Sequence, residues 1–196
     1  MLLWVVCLAG AAFGPPQIAV ANEGPDSQAA APALQYFSDV TLVDQDGASL
    51  RFYSDLIKGK TVIIIPFFTT CIGACPVMNE NLAKIQTWLG DRLGRDAHIL
   101  SISVDPATDT VPTLKAYAAQ FHARAGWHFL GGQRANVELA LTKLGQFVKT
   151  REDHMNIMIV GNERTGLWKK AFGLADSQSL IGIVDSVLND KGETGR

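Results

Sequence analysis

At 196 residues, 47% of them hydrophobic, the chain holds enough apolar material for one well-filled core and no internal repeat. A formal net charge of −2 with no basic run excludes the electrostatic footprint of a nucleic-acid binder. Three cysteines are too few for a disulfide-built scaffold.

Residues 2–13 (LLWVVCLAGAAF) form an apolar run ended by Gly14-Pro15-Pro16. The run is shorter than the roughly twenty residues of a transmembrane helix. It reads as the apolar region of a signal peptide spanning 1–21, with Ala19-Val20-Ala21 as a small-residue cleavage site. No Lys or Arg precedes Arg51, so the usual positive opening is missing, and a retained short hydrophobic segment is the alternative. Cys7 follows Val6 rather than a small residue, which argues against a lipid-anchored cysteine. Removal of 1–21 would leave Cys71 and Cys75 as the cysteines of an extracytoplasmic, periplasmic protein. Residues 22–35 are small, polar and Pro-containing and read as a flexible linker, so the folded domain is expected over 36–190.

Val40–Val43 and Ser49–Phe52 read as two short strands joined at Asp46-Gly47, an N-terminal β-hairpin, with Asp55–Lys60 as a connector. Val62–Phe68 is almost continuously apolar and β-branched, as a central strand buried on both faces requires. Met78, Leu82, Ile85 and Leu89 then share one helix face. His98–Val104 is a second buried strand, and Asp109-Thr110 opens a helix whose inner face carries Leu114, Tyr117, Ala118 and Phe121. The Asp105–Asp109 run reads as a turn followed by a helix cap. A short strand Trp127–Leu130 and a helix marked by Val137, Ala140, Leu141 and Leu144 follow. Met155–Val160 and Leu167–Phe172 read as a hairpin around a turn at Gly161–Gly166, before a last helix with Leu180, Val184, Val187 and Leu188. Alternating apolar strands and helices imply parallel pairing and helices on both faces of a central mixed sheet, a thioredoxin-like α/β fold.

Cys71 and Cys75 lie between the central strand and the following helix, and Pro76 fits the first helical turn. Sheets of this class place their sites at the carboxyl ends of strands. Free N–H groups and the helix dipole at such a turn favour a thiolate. A three-residue spacer lets the two sulfurs form a disulfide or bind one metal; the spacing leaves both open, alongside an inert structural bridge. A thioredoxin-type oxidoreductase would have a two-residue spacer and a proline before the later strand, but no proline follows Pro112, and the residue before Met155 is His154. An imidazole there would complete a soft, low-coordinate site with the two sulfurs, suited to copper, whereas zinc usually takes a fourth ligand. Asp153 could orient His154 as an acceptor, although an exposed carboxylate is its bland reading. Met78 and Met155 could offer thioethers, with core packing the better reading for Met78. His98, His122 and His128 have no partner pattern and read as structural.

The motif FFTTCIGACP at Phe67–Pro76, SISVDPATDT at Ser101–Thr110, Tyr117 with Phe121, WHFLG at Trp127–Gly131 and Asp153-His154 before a strand together resemble the Sco/SenC family of copper-binding, thioredoxin-fold proteins. The resemblance covers roughly 36–188. It implies one copper ion, Cu+ or Cu2+, held by Cys71, Cys75 and His154. It further implies delivery to the copper-site subunit of cytochrome c oxidase or another cuproprotein, or reduction of that site's cysteines. The chain departs from the family in having Ile72 where Pro is common, and residues 2–13 are too short for the family's usual membrane helix. A monomer with N-terminal membrane association is expected, acting as a copper chaperone. The alternative is a thiol-disulfide oxidoreductase in which Cys71 attacks and Cys75 resolves, the pair resting as a redox-active disulfide when oxidised. A thiol peroxidase is disfavoured, because Pro66, Thr70 and Cys71 do not meet the P-x-x-x-T-x-x-C spacing.

Overall fold

A computed structural model describes residues 33–192. The signal-peptide reading of 1–21 and most of the linker reading of 22–35 lie outside them; residues 33–35, read as linker, belong to a helical turn.

The described part opens with a helical turn at 33–37 that sets Phe37 into the core against Phe52, Tyr53 and Trp168. Strands β1 (Thr41–Val43) and β2 (Ser49–Arg51) form the expected hairpin. Its turn is tied by Asp44, whose Oδ1 accepts from the N–H groups of Asp46 at 3.0 Å and Ala48 at 2.9 Å. The connector is more ordered than the sequence suggests. Phe52–Ile57 is a π-helical turn that buries Phe52, Tyr53, Leu56 and Ile57, so apolar burial shapes a stretch whose polar residues read as loop.

The main sheet has the order β5-β4-β3-β6-β7. Strand β3 (Thr61–Phe67) is buried along its whole length and runs parallel to β4 (Ala97–Ser103), which runs parallel to β5 (Trp127–Leu130). Strand β6 (Ile157–Asn162) is antiparallel to β3 and to β7 (Leu167–Phe172). The pleat of β3 divides the core. Ile63, Ile65 and Phe67 face helices α1 (Ala74–Leu89), α2 (Val111–Gln120) and α4 (Ser177–Leu188), while Val62 and Ile64 face α3 (Arg134–Lys143) and the N-terminal turn. This is the thioredoxin-like α/β arrangement, a mixed sheet with helices on both faces and a hairpin in front.

Two details of β6 differ from the sequence reading. The strand begins at Ile157 rather than Met155, and it continues through Gly161 and Asn162. Gly161 is a strand residue opposite Trp168, whose Cε3 would lie 2.2 Å from any Cβ built there, so packing of the indole selects glycine.

Pro66 stands in the central strand, where its missing N–H would ordinarily break a ladder. Phe67 O accepts from Val104 N–H, so the polar groups of Phe67 face β4 and those of Pro66 face the β6 side. The β3–β6 register runs from Thr61↔Asn162 to Ile64↔Ile159 and goes no further. Beyond that point the two strands part, and the gap lies at the carboxyl end of β3, where the cysteines follow.

Candidate metal centre

Cys71 sits four residues past β3, and its N–H donates to Phe68 O at 3.2 Å. Gly73 then leads into α1, which places Cys75 in the first helical turn with Pro76 beside it. Cys71 is half-buried and Cys75 has no solvent exposure; both are free thiols. The start of α1 is anchored from below. Asn79 donates to Cys75 O at 2.9 Å, Ser101 Oγ reaches Asn79 Oδ1 at 3.4 Å, and the buried Trp127 Nε1 donates to Ser101 Oγ at 3.1 Å.

The thiolate expected from the helix dipole is not what this position favours at Cys75. Burial, followed by the hydrogen bond with Cys71, pushes its thiol up to about 12. A dipole contribution of about 1 kcal/mol is small beside the cost of an uncompensated buried charge. Without a cation, Cys75 is therefore a protonated thiol.

His154 follows a three-residue 3₁₀ turn, Arg151–Asp153, and lies three residues before β6 rather than at its edge. Its Nε2 is 3.3 Å from Cys75 Sγ. Its Nδ1 is 2.9 Å from Arg151 O. A carbonyl oxygen only accepts, so Nδ1 carries the proton and Nε2 presents a lone pair to the sulfur. The imidazole stands edge-on to Phe68, with centroids 5.3 Å apart and planes at 84°. One donor atom from each of Cys71, Cys75 and His154 lies within 4.8 Å of the others. A trigonal ion roughly 2.2 Å from each ligand would space the donors about 4 Å apart, somewhat wider than the 3.3 Å between Cys75 Sγ and His154 Nε2 and inside the 4.8 Å that bounds all three. Two sulfurs and one neutral imidazole fit a soft, low-coordinate metal ion.

Other sequence candidates fall elsewhere. Met78 is buried in the core against Gly173, and Met155 is exposed. His98, at the opposite end of β4, stacks on His128, and burial lowers its pKa to about 4. His128 pairs with Asp44 at 3.3 Å, and His122 lies at the end of α2 with positive φ. Asp153 does not orient His154; its carboxylate takes the Thr150 hydroxyl, and the Arg151 carbonyl does the orienting.

The turn-and-cap reading of Asp105–Asp109 missed its main role. Asp109 is 2% exposed. Its carboxylate accepts from Thr69 Oγ1 and Ser103 Oγ, both at 2.5 Å, and from Thr69 N–H at 3.2 Å. It thereby pins the chain two residues before Cys71. Thr110, at the helix start, bonds Thr113 Oγ1 instead of capping the backbone. Asp105 pairs with Arg151 Nη1 at 2.6 Å. The only trace of these roles in the sequence is the S-x-D-x-x-x-D spacing after an apolar strand.

Comparison with known proteins gives one consistent result. The family model described as SCO1/SenC matches residues 28–172. The SCO1 protein homolog of Bacillus subtilis is 33% identical over 115 residues, covering 57% of this chain and 58% of that protein. The chain thus aligns with little more than half of that relative's length. BsSco, described as a member of the Sco family of cytochrome c oxidase assembly proteins with a disulfide switch, superposes with a TM-score of 0.64 at 27% identity, over 79% of this chain and 94% of that one. Arabidopsis thaliana ScoI with copper bound superposes with a TM-score of 0.63 at 25% identity, over 76% and 95%.

Proposed function

The chain belongs to the SCO1/SenC family, and from that premise we propose that it is a copper chaperone holding one copper ion through Cys71, Cys75 and His154. The observation that carries this reading is the imidazole geometry. The Nδ1–H is spent on Arg151 O, and the Nε2 lone pair meets the Cys75 sulfur at 3.3 Å. A copper-bound ScoI with the same fold supports the choice of metal. Two thiols become thiolates on loading, so binding releases protons and tightens with pH. Exchange with a partner disulfide, which leaves as two thiols, would oxidise the pair to a disulfide, remove both sulfur ligands and free the ion. The recipient is the dinuclear copper site of cytochrome c oxidase or another cuproprotein, by analogy with the assembly role described for BsSco. Such work lies outside the cytoplasm. No helix among the described residues is long and apolar enough to cross a membrane.

Copper titration of the reduced protein against a competing chelator tests the site. Cys71→Ser or Cys75→Ser is expected to weaken binding at least a thousand-fold, and His154→Ala about a hundred-fold. Variants that bind as tightly as the parent would refute the assignment.

The half-exposed Cys71 beside the buried Cys75 also favours a second reading, thiol-disulfide exchange with Cys71 attacking and Cys75 resolving. A Cys75→Ser variant would then accumulate a mixed disulfide with its partner. Turnover that survives His154→Ala while copper binding falls would show the two activities to be separable.

A further inference from the structure

His154 reaches the sulfurs on a segment with few ties to the rest of the fold. Among the described residues, residues 147–155 make two long-range hydrogen bonds: His154 to Cys75, and Arg151 to Asp105. Arg151 is thus the tie that does not involve the site itself. Its Nη1 donates to Asp105 Oδ2 at 2.6 Å, across 46 positions of sequence. Its guanidinium carbon lies 5.3 Å from the Phe68 ring centroid, the ring against which His154 stands. Its backbone carbonyl accepts the His154 Nδ1–H. One residue therefore grips the β4–α2 loop and the exit of β3 with its side chain, and the imidazole with its backbone.

Asp105 is a firm anchor. It is 14% exposed, against 40% for Arg151. Burial draws its carboxyl upward, but hydrogen bonds from Arg151 and Thr108 outweigh that and hold it below the usual range. Its N–H donates to Ser103 Oγ at 3.0 Å, and Ser103 donates to Asp109, which also holds Thr69. A continuous polar chain thus runs from the residues before Cys71 to the residue that orients His154.

We propose that Arg151 is a positioning residue and that the Arg151–Asp105 bridge is a latch on the third ligand. With the bridge made, His154 lies over Cys75 and completes the site. With it broken, the 147–155 segment swings away, and the ion is left on two sulfurs. The inference rests on the copper-chaperone reading for its purpose, but the closure itself is a property of the metal-free protein.

Two measurements separate these layers. In the reduced, metal-free full chain, alkylation of Cys75 by iodoacetamide is followed site by site by mass spectrometry. Arg151→Gln and Asp105→Asn are each expected to raise its rate about ten-fold, because the imidazole no longer shields the sulfur. The exposed, distant Arg95→Gln variant should match the parent. In copper competition titrations the same two variants are expected to weaken binding about ten-fold, the low end for partners of metal ligands. The double variant Arg151→Gln/Asp105→Asn should be no weaker than either single one. The exchanged pair Arg151→Asp/Asp105→Arg should recover part of both properties. Nitrogen hyperfine coupling in the Cu2+ spectrum should weaken in the single variants and return in the exchanged pair. Unchanged alkylation in both single variants, or fully additive losses in the double one, would overturn the latch. If the parent itself fails to bind copper, the functional reading falls, while the alkylation rates still decide the latch.

Discussion

Cys75 lies in the first turn of a sixteen-residue helix, against a strand buried along its length, with no solvent exposure. His154, 3.3 Å away, follows a three-residue 3₁₀ turn that leads to β6 through Met155, which is exposed. The sulfur side is set by strand pairing, helix packing and the Asp109 bonds to Thr69 and Ser103. The imidazole side is set by a few polar contacts. The proposed carrier role would need this inequality. Ligands fixed by the core are costly to disturb and define what binds, whereas a ligand on a lightly tied segment can leave without unfolding anything.

The core side should respond most strongly to substitution. Replacing Asp109 with Ala strands the half-buried Thr69 N–H and hydroxyl and the fully buried Ser103 hydroxyl. It is expected to cost about 3 kcal/mol of metal-free stability, read from the urea midpoint at unchanged slope. A loss below about 1 kcal/mol would mean that the turn before Cys71 is not held as described.

A smaller effect should follow pH. Burial raises the Cys75 thiol to about 12, while an unfolded thiol ionises near 8.5. The unfolded chain then loses its proton first as pH rises, so its stability relative to the native state improves. Metal-free stability should therefore fall from about pH 8.5 upward. The buried Tyr53 phenol, also raised to about 12, adds a slope of the same sign only above about pH 10. Between those values the decline should be shallower in Cys75→Ser than in the parent. An identical slope would place Cys75 in contact with water.

The smallest effect is expected on the imidazole side. His154→Ala should change metal-free stability by less than about 0.5 kcal/mol, although it is expected to lower metal affinity heavily. A loss comparable to that of Asp109→Ala would erase the distinction between the two sides.

The parts of this design that sequence shows are those governed by local pattern. Apolar runs reveal β3 and β4, and the strand-to-helix change around Cys71 and Cys75 shows where the sulfurs sit. His154 stands out because no proline occupies its neighbourhood. What the sequence hides depends on contacts across distance. Asp109 before a helix looks like a cap, yet its partners are Thr69, 40 positions earlier, and Ser103. Arg151 looks like a surface charge, yet its partner is 46 positions away. Gly161 suggests a turn because the indole of Trp168 that requires it is not visible until β6 and β7 pair. Cys75 follows the same logic, since the dipole is readable from its helix position and the depth of burial is not.

Pro66 gives the arrangement its opening. It removes one amide hydrogen from the side of β3 where a neighbouring chain would otherwise add further rungs. The register would put Ile157 opposite Pro66, and the Ile157 N–H turns back to Met155 O instead, so the backbone leading from His154 is not carried along β3. The sheet thus stays unzipped at one seam where a single proton donor is missing, and the proposed metal site lies beside that seam.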